Sequence, residues 1–270
     1  SIAGLILFIT YQFLIPWEGL PLGIYDAVYQ WMPPSAVNES LVYVIMALGL
    51  NIVVGYAGLL DLGYVAFWAI GGYCAGWFMS EFFYFLNIHF FGSVPADAPG
   101  IHINFWMVLI IGGFICGLFG ILIGAPTLRL KSDYLALVTL GFGEIIRIVA
   151  LNLTVTGGPN GIAGIPNPPT IFGFEFNLMF PEHFFWLVLA MILLTIWMIR
   201  RFTVRRPGRA WEAIRQDEDV AALMGVNTLI YKLWSFVIGA AIGGAAGVVY
   251  ASKVMVISPD MFKFDVSILI

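Results

Sequence analysis

Two side chains of opposite charge, Glu144 and Arg147, stand three residues apart inside one of the most apolar stretches of this 270-residue chain. Residues three or four apart share a helix face, so the two can neutralise each other where water is scarce. Such a pair is either glue between helices or part of a polar path. A second group lies upstream in ALGLNIVVGYAGLLDLGYVAFWAIGGYCAG, residues 47 to 76, where Asn51 and Asp61 flank Gly55 and Gly58. Glycine in such surroundings lets backbone come close or unwind, which is tolerated where protein or a cavity encloses it. A carboxylate there is expensive, so Asp61 either lines an internal route or sits at a water boundary and caps a helix starting at 62. Asn51, Gly55, Gly58, Asp61, Glu144 and Arg147 are the candidate lining of a polar path.

A third group is GRAWEAIRQDEDVAALMGVN, residues 208 to 227. Arg209, Glu212, Arg215 and Asp219 recur at helical spacing, which predicts a ladder of opposite charges along one stripe. Trp211, Ile214, Ala221 and Ala222 lie off that stripe. Asp217 can cap a second short helix and Gly225 can end it, so two helical pieces with a kink at QDED are expected. The stretch reads either as a solvated loop that folds locally or as a docking element that offers an exposed Trp211 to a groove on a soluble partner.

Other chemistry finds no support. GAPTLRLKSD ends in Lys-Ser as a phosphate loop does, but that motif needs glycine where Leu130 stands. No nucleotide site is therefore expected in this chain. Cys74 and Cys116 fall in apolar runs and are expected to be buried and unpaired, and no metal-ligand spacing exists. His89, His102 and His183 are expected to be solvated. No nucleophile, base and orienting group cluster, so an enzyme is not expected.

These groups need elements to hold them. Hydrophobic residues make up 61% of the chain and the mean hydropathy is +0.95, more apolar surface than a soluble domain can hide. A bilayer core takes about 20 apolar residues per helix. Seven spans are predicted, at 2–15, 40–56, 62–83, 104–128, 133–152, 183–199 and 229–250, with FDVSILI opening an eighth. The fold class is all-α, a polytopic membrane helical bundle. The apolar runs are continuous, so a β-barrel is not expected. GxxxG spacing at Gly113 and Gly117, Gly120 and Gly124, and Gly239, Gly243 and Gly247 predicts close helix contacts. The opening stretch lacks a basic region and a cleavage site, so it reads as a membrane helix without its start.

The connections at 16–38, 84–103 and 153–182 contain no Lys or Arg. Those at 129–131 and 200–227 hold Arg129, Lys131, Arg200, Arg201, Arg205, Arg206, Arg209 and Arg215. Alternating spans puts both basic connections on one side, the cytoplasmic one by the positive-inside rule. The few bases give no broad face for nucleic acid.

In order along the chain, LVYVIMALGLNIVVGYAGLLDLGYVAF, LRLKSDYLALVTLGFGEIIRI, TGGPNGIAGIP and GRAWEAIRQDEDVAALMGV resemble the LivM-type permease subunit of bacterial branched-chain amino-acid ABC importers. The resemblance runs from about residue 41 to 270. It implies a type II-like permease domain in the bacterial inner membrane, pairing with a LivH-type permease above two ATPase subunits and served by a periplasmic amino-acid-binding protein. ATP and Mg would be bound by the ATPases, and transport would proceed by alternating access. It also implies that residues 200–227 dock the ATPases through Arg209, Trp211, Glu212, Ala213, Arg215, Asp217, Ala221 and Gly225, which favours the docking reading. Family members continue past SPDMFKFDVSILI into further helices, so one permease domain, 1–270, shortened at both ends, is expected. The loop near 170–182 is shorter than in the family and bears on the substrate. A related urea or short-amide permease is the alternative reading, and a stand-alone ion-coupled carrier a more distant one.

Overall fold

The computed structural model describes residues 34–90, 99–128, 132–170, 176 and 181–262. Helix α1, Pro34–Asn51, runs on as a π-helical segment, Ile52–Tyr56. After it come α2 (Val65–Met79), α3 (Phe105–Thr127) and α4 (Ser132–Asn152). Helix α5 (Pro181–Thr203) leads into two short helices, α6 (Arg206–Gln216) and α7 (Glu218–Leu223), and then into α8, Thr228–Val254. Five helices are long and apolar enough to cross a bilayer. They match the predicted spans at 40–56, 104–128, 133–152, 183–199 and 229–250. The predicted span at 2–15, Arg129, Lys131, most of 170–182 and the opening of an eighth span after Phe262 lie outside the described residues.

The span predicted at 62–83 is shorter than expected. Helix α2 has 15 residues, a rise of about 22 Å. At one end a turn comes before it, in which Asp61 Oδ1 accepts from the Gly63 N–H at 3.0 Å. Ser80 stops it at the other, with an extended backbone and its Oγ accepting from Phe82 N–H at 3.2 Å. The shortfall is tolerated because protein surrounds the helix: every α2 residue except Trp77 and Phe78 is buried.

The glycine spacing becomes close packing, as expected. Helix α8 is the central post. Its Gly239 meets Val53 and the Gly49 carbonyl of α1, and a methyl at Gly243 would stand 3.0 Å from the Tyr64 ring. Gly247 meets the Trp68 backbone of α2, and the Tyr64 hydroxyl donates to the Gly239 carbonyl at 2.8 Å. On another side, Gly120 of α3 approaches Ala240, and Gly124 approaches Leu233 and Phe236. Backbones this near allow dispersion contact along the whole helix length, which drives association in lipid. Cys74 and Cys116 are buried and free, as expected.

Two small sheets depart from an all-helical chain. Strand β1 (Asn87–Phe90) pairs in parallel with β2 (Gly100–Ile103), and β3 (Ile162–Ala163) runs antiparallel to β4 (Val256–Ile257). Both lie at the end of the bundle opposite α6 and α7. They also correct one histidine. His102, expected in solvent, is only 4% exposed, because the β-pairing stacks its ring 5.3 Å from His89.

Candidate functional site

The charged stretch folds into two helices joined at a kink. Pro207 enters the first turn of α6, where its missing N–H costs nothing. Asp217 breaks the helix and caps α7, its Oδ1 accepting from Val220 N–H at 3.0 Å. Glu218 and Asp219 then sit at the positive end of the α7 dipole. Gly225, at φ +85°, ends the piece. The kink at QDED, the Asp217 cap and the Gly225 stop are thus all present.

Two expectations about this stretch are corrected. Trp211 is not exposed: it is 1% accessible, and its indole N–H donates to the Tyr231 carbonyl of α8 at 2.7 Å. With Ala210, Ile214 and Ala221, also buried, it packs the α6–α7 pair onto the bundle. The reason lies in the amphipathic pattern, since an apolar stripe in a short helix is buried by the nearest apolar neighbour. The charge ladder does not close either. Among the described residues no ion pair joins Arg209, Glu212, Arg215 and Asp219. Glu218 instead pairs with Lys232 of α8, and Arg215 reaches into α1.

Arg215 ties two of the predicted groups together. Its Nη1 donates to the Gly55 carbonyl at 2.6 Å, and a methyl at Gly58, where φ is +70°, would stand 3.0 Å from its Cγ. Gly55 lies in the π segment, where Ala57 N–H reaches back to Ile52 at 3.2 Å. A single π turn widens the helix and exposes carbonyl groups, and such turns collect at functional sites. Asn51 is exposed on the surface of α1, its side chain folded over Gly55.

Asp61 lies deeper, 3% exposed. It does not cap α2, which begins at Val65 after an uncapped Tyr64; its carboxylate holds the turn to Gly63. Its Oδ2 has no hydrogen-bond partner among the described residues. Thr139 of α4 faces the same turn, its hydroxyl oxygen accepting from Leu62 N–H at 3.1 Å. Farther along α4, Arg147 Nε donates to Glu144 Oε2 at 2.9 Å. The two side chains remain 25% and 35% exposed on the least enclosed of the long helices. The six predicted path residues therefore fall into three places: Asn51, Gly55 and Gly58 at Arg215, Asp61 against α4, and the ion pair beyond it.

Val220, Leu223 and Met224 are the residues that sequence reasoning missed. They stand out from α7, with Leu223 at 87% and Met224 at 80% exposure. A signal was available: three large apolar residues at helical spacing follow an acidic first turn, in a loop that is otherwise charged. Arg209, Glu212, Asp217 and Gly225 are exposed around them, and Ala213 is half-buried.

Apolar helices around a few enclosed charges, with a charged pair of short helices at one end, define a multi-pass membrane permease. The chain belongs to the family of the branched-chain amino acid transport system / permease component, whose model matches residues 34–270. Over 247 residues it is 41% identical to the high-affinity branched-chain amino acid transport system permease protein LivM of Escherichia coli K12, covering 83% of this chain and 53% of that protein. A probable branched-chain amino acid transport permease protein LivM of Methanocaldococcus jannaschii is 27% identical over 231 residues, 77% of this chain and 64% of that protein. The LivH permease protein of Escherichia coli K12 is 26% identical over 243 residues, 83% of this chain and 71% of its own length. The chain spans about half the length of the LivM proteins of Escherichia coli and Salmonella typhimurium. No solved structure matches it.

Proposed function

We propose that this chain is the membrane permease subunit of an ABC importer for branched-chain or other neutral amino acids. It would lie in the bacterial inner membrane with 200–227 in the cytoplasm. The family match over residues 34–270 carries the reading, and likeness to both LivM and LivH proteins supports pairing with a second permease of similar architecture. Two ATPase subunits bind the exposed Val220, Leu223 and Met224 face, with Arg209 and Glu212 setting register at its rim. Their movement reaches the membrane through α6, because Trp211 holds that helix on α8 and Arg215 holds it on the π segment of α1. A periplasmic binding protein delivers the amino acid at the opposite end. Alternating access then needs two states that differ in these contacts.

The test is uptake of labelled leucine and labelled urea into vesicles that hold the full chain, its partner permease and the ATPases, with binding protein outside. ATP-dependent leucine uptake is expected. Uptake of urea alone would replace the reading with a urea or short-amide importer, and uptake without ATP or partners with an ion-coupled carrier.

A further inference from the structure

Helices α1, α2 and α8 converge at the end of the bundle opposite the basic loops, where side chains of both charges meet aromatic rings. Ser35, Glu39 and Tyr43 recur every four residues on α1, so they form one stripe. Both ends of the stripe are fixed. Lys253 Nζ of α8 donates to the Ser35 carbonyl at 2.8 Å, and the Tyr43 ring lies 5.9 Å from the Trp68 ring of α2. Glu39 stands midway on that stripe, one helical turn from each, and is the hydrogen-bond partner of the Tyr250 hydroxyl.

Aromatic rings pack around this meeting point. Trp68 lies 4.7 Å from Tyr250 and 5.0 Å from Phe262, centre to centre. Two features are unexplained by packing. Glu39 and Lys253 are close enough to feel each other's charge, yet they form no ion pair among the described residues. Trp68 is fully buried, and its indole N–H has no acceptor among the described residues. The buried donor without an acceptor calls for a third party, and the two nearby charges set its chemistry.

The chemistry of that third party follows from the groups present. We propose that Glu39, Tyr43, Trp68, Tyr250 and Lys253 form a receiving station for the zwitterionic head of an α-amino acid. Glu39 takes the ammonium between the rings of Tyr43 and Tyr250, which favour a cation. Lys253, which gives one of its three donors to the Ser35 carbonyl, and the Trp68 N–H take the carboxylate. The amino-acid side chain is left unread by charge, which suits a carrier of several neutral amino acids. The station rests on the importer reading above and adds the place where the substrate enters the bundle.

The test uses the complete complex in vesicles with loaded binding protein. Leucine uptake by the unaltered complex comes first: without it the importer reading fails, whatever the variants do. Given that uptake, Glu39→Gln and Lys253→Met each lower it about tenfold or more while the amount of assembled complex is unchanged. Lys253→Arg keeps most of it, and Glu39→Gln with Lys253→Met stays as low as either alone. A structural tie between α1 and α8 behaves otherwise: the doubly neutral variant regains uptake, or uptake falls only with the amount of complex. Either result overturns the station. Trp68→Phe keeps the ring stack and removes only the N–H, so it applies even where a Glu39 variant does not assemble. Reduced uptake at full assembly supports the carboxylate contact, and unaltered uptake overturns it.

Discussion

Arg215 in α6 and Gly55 in the π segment of α1, 160 positions apart in sequence, meet through one hydrogen bond of 2.6 Å. The acceptor is a backbone carbonyl of a membrane helix, and the donor belongs to the helix pair that faces the proposed ATPases. A push on α6 therefore arrives at the one described place where α1 is already loosened from regular geometry.

Arg215→Ala tests that link. The bond is charge-assisted, but Arg215 is exposed, so its loss costs about 1 kcal/mol of stability or less. The complex is expected to assemble and hydrolyse ATP while leucine uptake falls severalfold. Parallel measurement of hydrolysis and uptake in vesicles checks this; uptake that keeps pace with hydrolysis would mean the bond transmits nothing.

Trp211→Ala and Leu223→Asp are expected to fail in different ways. Emptying a buried tryptophan site costs about 3–5 kcal/mol, so Trp211→Ala lowers the amount of folded chain. Leu223 touches water in the isolated chain, so Leu223→Asp leaves the fold intact and sheds the ATPases on purification. Detergent melting curves and subunit recovery separate the two. A normally folded Trp211→Ala chain that loses only the ATPases would restore Trp211 to the docking surface.

How much of this was legible beforehand depended on whether a signal was local. The Asp217 cap and the Gly225 stop were readable because each acts within one helical turn. Helix α2 is shorter than its hydropathy implies because hydropathy does not register that the side chains of Asp61 and Ser80 close turns. Spacing alone offers Trp211 to a partner's groove, whereas its burial comes from α8, where Tyr231 lies twenty positions away. Sequence spacing marks a face as apolar without stating which surface covers it. The Lys232–Glu218 pair replaced the predicted ladder for the same reason: a tertiary partner competed with the neighbours along the helix.

Glu144 and Arg147 give a third prediction. Glu144→Leu leaves Arg147 without its partner, and an unpaired charge within a membrane helix is costlier than none. The amount of folded protein should fall more for Glu144→Leu than for Glu144→Leu with Arg147→Leu. Fluorescence-detected gel filtration of the two variants decides it, and losses that simply add would show the pair uncoupled.

Asp61→Asn probes function against stability. The amide oxygen keeps the bond to Gly63 while a buried charge with one free oxygen is removed. Thermal stability is expected to hold or rise, and uptake to drop, as at sites where a destabilising group is retained for activity. Melting temperature and leucine uptake are read on the same preparation. Full uptake in this variant would make Asp61 a turn-former and nothing more.

The enclosed helix α2 sets an order of events during biosynthesis. Most of its surface is meant for protein, and its main cover is α8, where Gly71 meets Gly244 and Trp68 meets Gly247. Some 150 residues separate the end of α2 from the start of α8, roughly eight to thirty seconds of translation. For that interval a short helix stripped of its future neighbours must wait beside the insertion machinery or in lipid too thick for it. Final closure of the bundle is therefore a late, post-insertion event, and slowing the ribosome between Met79 and Thr228 lengthens the time during which α2 is open to degradation.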